Sequence, residues 1–168
     1  MHAALPRSMK DDTIDALELL RTQHQEVEDL IGKIEKTEDA GKKSALFIEL
    51  ADNLAAHATI EEKIFYPAAR EHIPETTDHV LESIEEHHVV VWMLSELNGM
   101  DPKDERFTAK VTVLMENVRH HVEEEEDEWF PQVRKAMGRK ILQELGERME
   151  AAKAEAPDDP LKLSSAIA

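Results

Sequence analysis

The chain has 168 residues, with 37 acidic side chains against 20 basic ones and a formal net charge of −17. That length suits one compact domain with a core of its own, and the charge repels nucleic acid phosphates and anionic membranes while favouring cations. No cysteine is present, which excludes disulfides, thiolate metal sites, iron–sulfur clusters and cysteine nucleophiles together.

Five glycines, one tyrosine and an abundance of Ala, Leu, Glu and Lys predict a mostly helical protein. Met1 to Met9 contains no apolar run of signal-peptide length, and the longest uncharged apolar stretch, Val89 to Leu94, is too short to span a bilayer. A soluble, cytoplasmic protein is expected.

Helix A is predicted from Asp12 to Thr37, with Asp11, Asp12 and Thr13 as caps and Asp15 and Glu18 in its first turns. Its apolar stripe reads Leu17, Leu20, His24, Val27, Ile31, Ile34, and the turn Glu38 to Gly41 ends it. Helix B, Lys43 to Arg70, carries Leu46 and Phe47, Leu50, Leu54, His57, Glu61, Ile64 and Phe65, and Ala68, with Pro67 ending or kinking it. Helix C, Thr76 to Asn98, carries Val80, Ile84, His87, Val90 and Val91, Leu94 and Leu97, and stops at Asn98-Gly99. Helix D, Lys103 to Met137, carries Val111, Leu114, Val118, His121 and Val122, Glu125 and Trp129, and Gly138 breaks it. A helix E from Arg139 to Ala154 follows. The expected organisation is an N-terminal extension (1–11), a bundle (12–137), an accessory helix (138–156) and a disordered tail (157–168). Short connections make neighbours antiparallel, so the fold class is all-α, an up-and-down four-helix bundle with a short C-terminal accessory helix.

The informative residues interrupt the stripes. Each long helix places one histidine on its core-facing line: His24, His57, His87 and His121. Helices B and D each add a glutamate four residues later, Glu61 and Glu125, on the same face. An ionised group buried without a partner costs several kcal/mol, and a pair of divalent cations would compensate six such residues. The pattern is also duplicated. His57, Glu61, Glu62, Phe65, Tyr66 and Pro67 recur as His121, Glu125, Glu126, Trp129, Phe130 and Pro131 at an offset of 64 residues, and helix A matches helix C at an offset of 63, His24 on His87. Two hairpins, each carrying His and His-x-x-x-Glu, would thus pack about a pseudo-twofold axis. The register favours His87 over His88 and His121 over His120, which sit beside the stripe in supporting or surface roles.

From Asp12 to Val133 the chain resembles the hemerythrin-like family, also called the HHE cation-binding domain, on His24, on His57 with Glu61, on His87, and on His121 with Glu125. The resemblance implies a non-haem di-iron centre: His24 and His57 on one iron ion, His87 and His121 on the other, and Glu61 and Glu125 bridging the two with an oxo or hydroxo group between. Manganese or zinc also suits imidazole and carboxylate donors. Oxygen-carrying members have a further histidine one turn after the helix C ligand; here Val91 stands there, so water or Glu28 would fill the vacancy. That weighs against reversible oxygen carriage.

Of the flanking residues, Phe65, Trp129 and Phe130 are expected as hydrophobic lining, Tyr66 as lining or as a hydrogen-bond donor, and Glu62 and Glu126 as partners of the ligand histidines or as exposed. His2, His72 and His79 are expected to be exposed. The leading expectation is a di-iron protein that binds or senses dioxygen, nitric oxide or peroxide, or handles iron, without nucleic acid or membrane partners. The alternatives are a di-iron oxidoreductase consuming peroxide or nitric oxide, and a metal-free helical interaction module. No nucleophile triad or phosphate loop accompanies the site.

Overall fold

The computed structural model describes residues 13–155. Asp11 and Asp12, the N-terminal extension and the C-terminal tail lie outside the described residues. Helix α1 spans Ala16–Lys36. It starts later than the stripe suggests because Asp15, rather than Thr13, caps it: the Asp15 carboxylate accepts from the Glu18 N–H (3.0 Å) while Glu18 reaches back to the Asp15 N–H (3.3 Å). This reciprocal box satisfies two donors that would otherwise be orphaned. Asp39, expected in the turn, caps α2 (Ala40–Ile60) by accepting from the Lys42 N–H at 2.8 Å.

The second long helix does not run unbroken to its end. Residues Glu61–Phe65 form a π-helical turn, followed by α3 (Tyr66–His72) and a short 3₁₀ turn, Pro74–Thr76. The fourth does the same: α5 (Phe107–Glu123) passes through a π turn at Glu124–Trp129 into α6 (Phe130–Ala154). Both wide turns end two residues before a proline, Pro67 and Pro131. Proline lacks an N–H and collides with the carbonyl four residues back; widening the turn just before it relieves both. The i+5 bonds that define the bulges run from the Tyr66 N–H to the Glu61 carbonyl and from the Phe130 N–H to the Glu125 carbonyl. Between these halves lies α4 (Thr77–Asn98).

The result is an all-α four-helix bundle, as the stripes predict. Gly138, at φ 72° and ψ 174°, breaks α6 where expected. Beyond it, Leu142, Leu145 and Met149 pack with Ala16, Leu17 and Leu20 of α1. The approach is so close that a Cβ on Gly146 would lie 2.4 Å from the Ile14 carbonyl oxygen.

Two apolar cores result. One joins the start of α1, Phe65, Tyr66, Trp129, Phe130 and the end of α6. The other joins Val27, Ile31, Leu50, Leu54, Leu94, Leu114 and Val118 toward the opposite end. The four stripe histidines lie in sequence between residues of the first core and residues of the second, so they form a polar layer sandwiched by apolar ones. Among the described residues, no helix is long and apolar enough to cross a membrane.

Candidate metal centre

All six stripe residues are buried, and Glu61 and Glu125 have no exposed surface at all. The histidines face each other in pairs drawn from each hairpin. The Nε2 atoms of His24 and His57 lie 3.1 Å apart, and those of His87 and His121 lie 3.3 Å apart. The two carboxylates span the pairs. Glu61 sets Oε1 3.3 Å from His57 Nε2 and Oε2 3.2 Å from His87 Nε2. Glu125 sets Oε2 3.4 Å from His24 Nε2 and Oε1 3.6 Å from His121 Nε2. Two groups of potential ligand atoms follow, each within 4.8 Å of one another: His24, His57, Glu61 and Glu125, and Glu61, His87 and His121.

Each ring is fixed from behind. His24 Nδ1 lies 2.7 Å from Glu126 Oε1, His57 Nδ1 2.7 Å from Gln23 Oε1, His87 Nδ1 2.8 Å from Glu62 Oε1, and His121 Nδ1 2.6 Å from Glu86 Oε2. An oxygen acceptor at Nδ1 places the proton there and leaves the Nε2 lone pair pointing inward. Glu62 and Glu126 are therefore hydrogen-bond partners of His87 and His24 rather than freely exposed. Gln23 and Glu86 escaped the sequence reading, although the duplication relates them too, each directly preceding the first histidine of its hairpin.

Tyr66 also reaches the centre. Its hydroxyl lies 2.9 Å from Glu125 Oε1 and 3.1 Å from Glu61 Oε2, so its one proton is shared between the two carboxylates, and its ring stacks on His87 with centroids 5.7 Å apart. Phe130, its counterpart, stacks on His24 at 6.1 Å. Phe65 and Trp129 pack around them, fully or almost fully buried. His79 is not exposed as expected; its ring lies 4.6 Å from that of Trp129. His72 is exposed, as are His88 and His120 in part, the last two beside Glu85 and Glu124. Glu28 does not turn inward to occupy the Val91 vacancy: Arg119 holds both its oxygens, at 2.6 and 2.9 Å, on the rim of an open groove. Val91 instead lines a small chamber of about 30 Å³ with Val27, Val90, Val118, Val122 and the four histidines.

The electrostatics are those of a crowded layer of charge. Burial opposes a charge on His24, but Glu125 and Glu126 outweigh it and raise the pKa from 6.5 to about 9. Burial likewise opposes charge on His87 and His121, and the surrounding glutamates raise both. For His57 burial wins and lowers the pKa. Burial would raise Glu61, but His57, His121 and His87 hold it well below the usual carboxylate range. Burial and the two carboxylates push Tyr66 up, so the phenol keeps its proton.

The donor set suits cations. Glu61 Oε1 and Glu125 Oε2 are buried and lack a hydrogen-bond partner, a costly state for a carboxylate oxygen. Paired inward lone pairs at 3.1 and 3.3 Å repel unless a cation or proton lies among them. Four imidazoles and two carboxylates, with no thiolate in the chain, match first-row divalent metals.

Residues 15–133 match the family model described as Hemerythrin HHE cation binding domain. Among solved structures, the chain is similar to a hemerythrin HHE cation binding domain-containing protein, the Rv2633c homolog from Mycobacterium kansasii. The TM-score is 0.75 and the identity 26%, over 84% of this chain and 86% of that one. Among curated proteins it is 23% identical over 151 residues to a DNA nickase of Nostoc sp., covering 90% of this chain and 42% of that protein. The chain thus spans about two fifths of the length of that relative.

Proposed function

Because the chain belongs to the hemerythrin HHE cation-binding domain family, we propose that it holds two iron ions. His24 and His57 would bind one, His87 and His121 the other, and Glu61 and Glu125 would bridge them. The observation that carries this reading is the pair of carboxylates whose two oxygens each face a different histidine pair. Iron would supply a change of oxidation state and open coordination positions.

The chain's own residues define what reaches that centre. The chamber beside the four histidines is walled largely by valines and is small, about 30 Å³. A space that small favours a diatomic molecule or peroxide over larger substrates. We therefore read the function as binding or sensing of dioxygen, nitric oxide or peroxide. The apolar wall keeps bulk water from the ligand lone pairs. Gln23, Glu62, Glu86 and Glu126 hold each ring in one tautomer and one orientation. Tyr66 keeps a proton within reach of both carboxylates.

A second reading, an oxidoreductase consuming peroxide or nitric oxide, is favoured by Val91 in place of a fifth histidine and by Tyr66 inside the layer. Because the chain spans only 42% of the DNA nickase relative, that activity is not carried over in this reading, and the net charge of −17 speaks against a nucleic acid partner. Metal analysis after anaerobic iron loading tests the proposal. About two irons per chain are expected, and fewer than one would overturn it in favour of a metal-free module. An optical spectrum of the reduced protein before and after oxygen, with peroxide turnover measured alongside, separates a reversible binder from a catalyst.

A further inference from the structure

Outside the buried layer, Glu86 of α4, His120 of α5 and Glu124 at the start of the second π turn bring one potential ligand atom each to within 4.8 Å of the others. We propose that these three residues form an accessory site for a first-row divalent cation, distinct from the buried centre and joined to it through Glu86. The inference goes beyond the di-iron reading and does not depend on it.

The donor chemistry is one imidazole and two carboxylates, with solvent free to complete the shell; this set suits zinc, manganese or ferrous ions. Ligand atoms held about 2.1 Å from such an ion lie at most about 4.2 Å apart, so movements of well under one ångström close the set. His120 Nε2 already lies 3.2 Å from Glu124 Oε1, one helical turn apart. Glu86 is not a loose surface side chain, because His121 Nδ1 fixes its Oε2 at 2.6 Å. A carboxylate has lone pairs for a second partner, so Glu86 can hold His121 and face a cation together.

The duplication separates this cluster from the inherited ligand pattern. At the positions matching Glu86, His120 and Glu124 the other hairpin has Gln23, Ala56 and Ile60. The first keeps the ring-holding role, since Gln23 accepts from His57, while the other two carry no donor at all. The symmetric frame therefore does not require His120 or Glu124, and both depart from it at the same spot, beside a carboxylate that also departs from the amide. The cluster would place a captured cation one carboxylate away from His121.

The test uses the full chain with its buried centre already iron-loaded. The protein is dialysed against buffered micromolar Zn²⁺, and zinc and iron are counted together by elemental analysis. One zinc per chain beyond the iron is expected. His120→Ala and Glu124→Gln, both at solvent-accessible positions, should each weaken zinc binding roughly tenfold or more, with iron content and helicity unchanged. No additional zinc in the unsubstituted protein, or additional zinc unaffected by both substitutions, would overturn the proposal. Failure of iron to load is read from the iron count and tells against the buried centre; the accessory site is then read from the part of the bound zinc that His120→Ala and Glu124→Gln remove.

Discussion

Tyr66 and Phe130 occupy equivalent positions 64 residues apart and each stacks on a site histidine, yet only Tyr66 has a hydroxyl, and it bonds both Glu61 and Glu125. The two halves of the centre are therefore not chemically equal. Tyr66→Phe removes one hydrogen-bond donor shared by two charged acceptors and should cost the metal-free protein about 2 kcal/mol. Iron content should stay at the unsubstituted level, because no imidazole or carboxylate is lost. Denaturant melts and metal analysis of the same preparation check both parts; a large loss of iron would make the phenol a ligand rather than a neighbour.

The six-residue register makes a sharp contrast. His57→Ala and Glu125→Ala each delete a donor whose loss leaves buried partners unpaired, and both should lower iron content severely. His88→Ala removes a partly exposed ring that faces Glu85 and should leave iron unchanged. Equal losses in all three proteins would sink this choice of ligands.

Behind the rings, Glu62→Gln and Glu126→Gln keep the hydrogen-bond geometry but remove the charge from the acceptor. Such substitutions typically cost ten- to a hundredfold in metal affinity, on the order of 1.4–2.7 kcal/mol. Competition with a chelator of known affinity measures this. Unchanged affinity in both variants would mean that the carboxylates do no more than the amide of Gln23 does for His57.

The metal-free protein should lose stability as pH rises above neutrality. His24 is raised from 6.5 to about 9 in the folded chain, and His87 and His121 are raised as well. A raised histidine contributes fully below its unfolded value and loses that contribution as pH climbs through the folded one. His57 is lowered and acts in the opposite sense only below about 6.5. Thermal melts of chelator-treated protein should therefore give a lower Tm at pH 9 than at pH 6.5. Metal needs deprotonated rings, so the increment in Tm that iron adds should grow over the same interval. A metal-free Tm that rises with pH would contradict the charge state described for the layer.

The chamber gives the prediction about ligand access. Val118→Phe puts a ring where about 30 Å³ of space lies against the four histidines. Reaction of the reduced, iron-loaded protein with oxygen or peroxide should slow by an order of magnitude or more while iron content holds. Stopped-flow optical spectra measure it, and an unchanged rate would place the route elsewhere, through the open groove on the α1–α5 side.

The helices and the six central residues were legible because each interrupts an apolar stripe of 3.6-residue period, and because the interruption occurs twice in register. The element starts were less so. Asp15 and Asp39 cap their helices, but several neighbouring acids carry the same local signal, and only backbone geometry chooses among them. The π turns were not legible, since they are a change of hydrogen-bond register rather than of residue pattern. That is why the sequence left Tyr66 open between hydrophobic lining and hydrogen-bond donor. In an α-helix the residue above Glu61 is Phe65; in the widened turn, with the Tyr66 N–H bonded to the Glu61 carbonyl, it is Tyr66. Gln23 and Glu86 were missed for a different reason. Polar residues at the edge of a stripe look like solvated surface, and only their equivalence in the repeat marks them.

The close approach of Gly146 to Ile14 bears on when the centre becomes complete. In order of synthesis, Glu125 appears before Leu142, Leu145 and Met149, which close the lower core against α1. The six central residues are thus all synthesised before the floor beneath them is. Until that segment docks, Phe65, Tyr66, Trp129 and Phe130 lack part of the apolar cover they share with Leu142, Leu145 and Met149. The C-terminal half of α6 is therefore the last element that burial of the polar layer waits for.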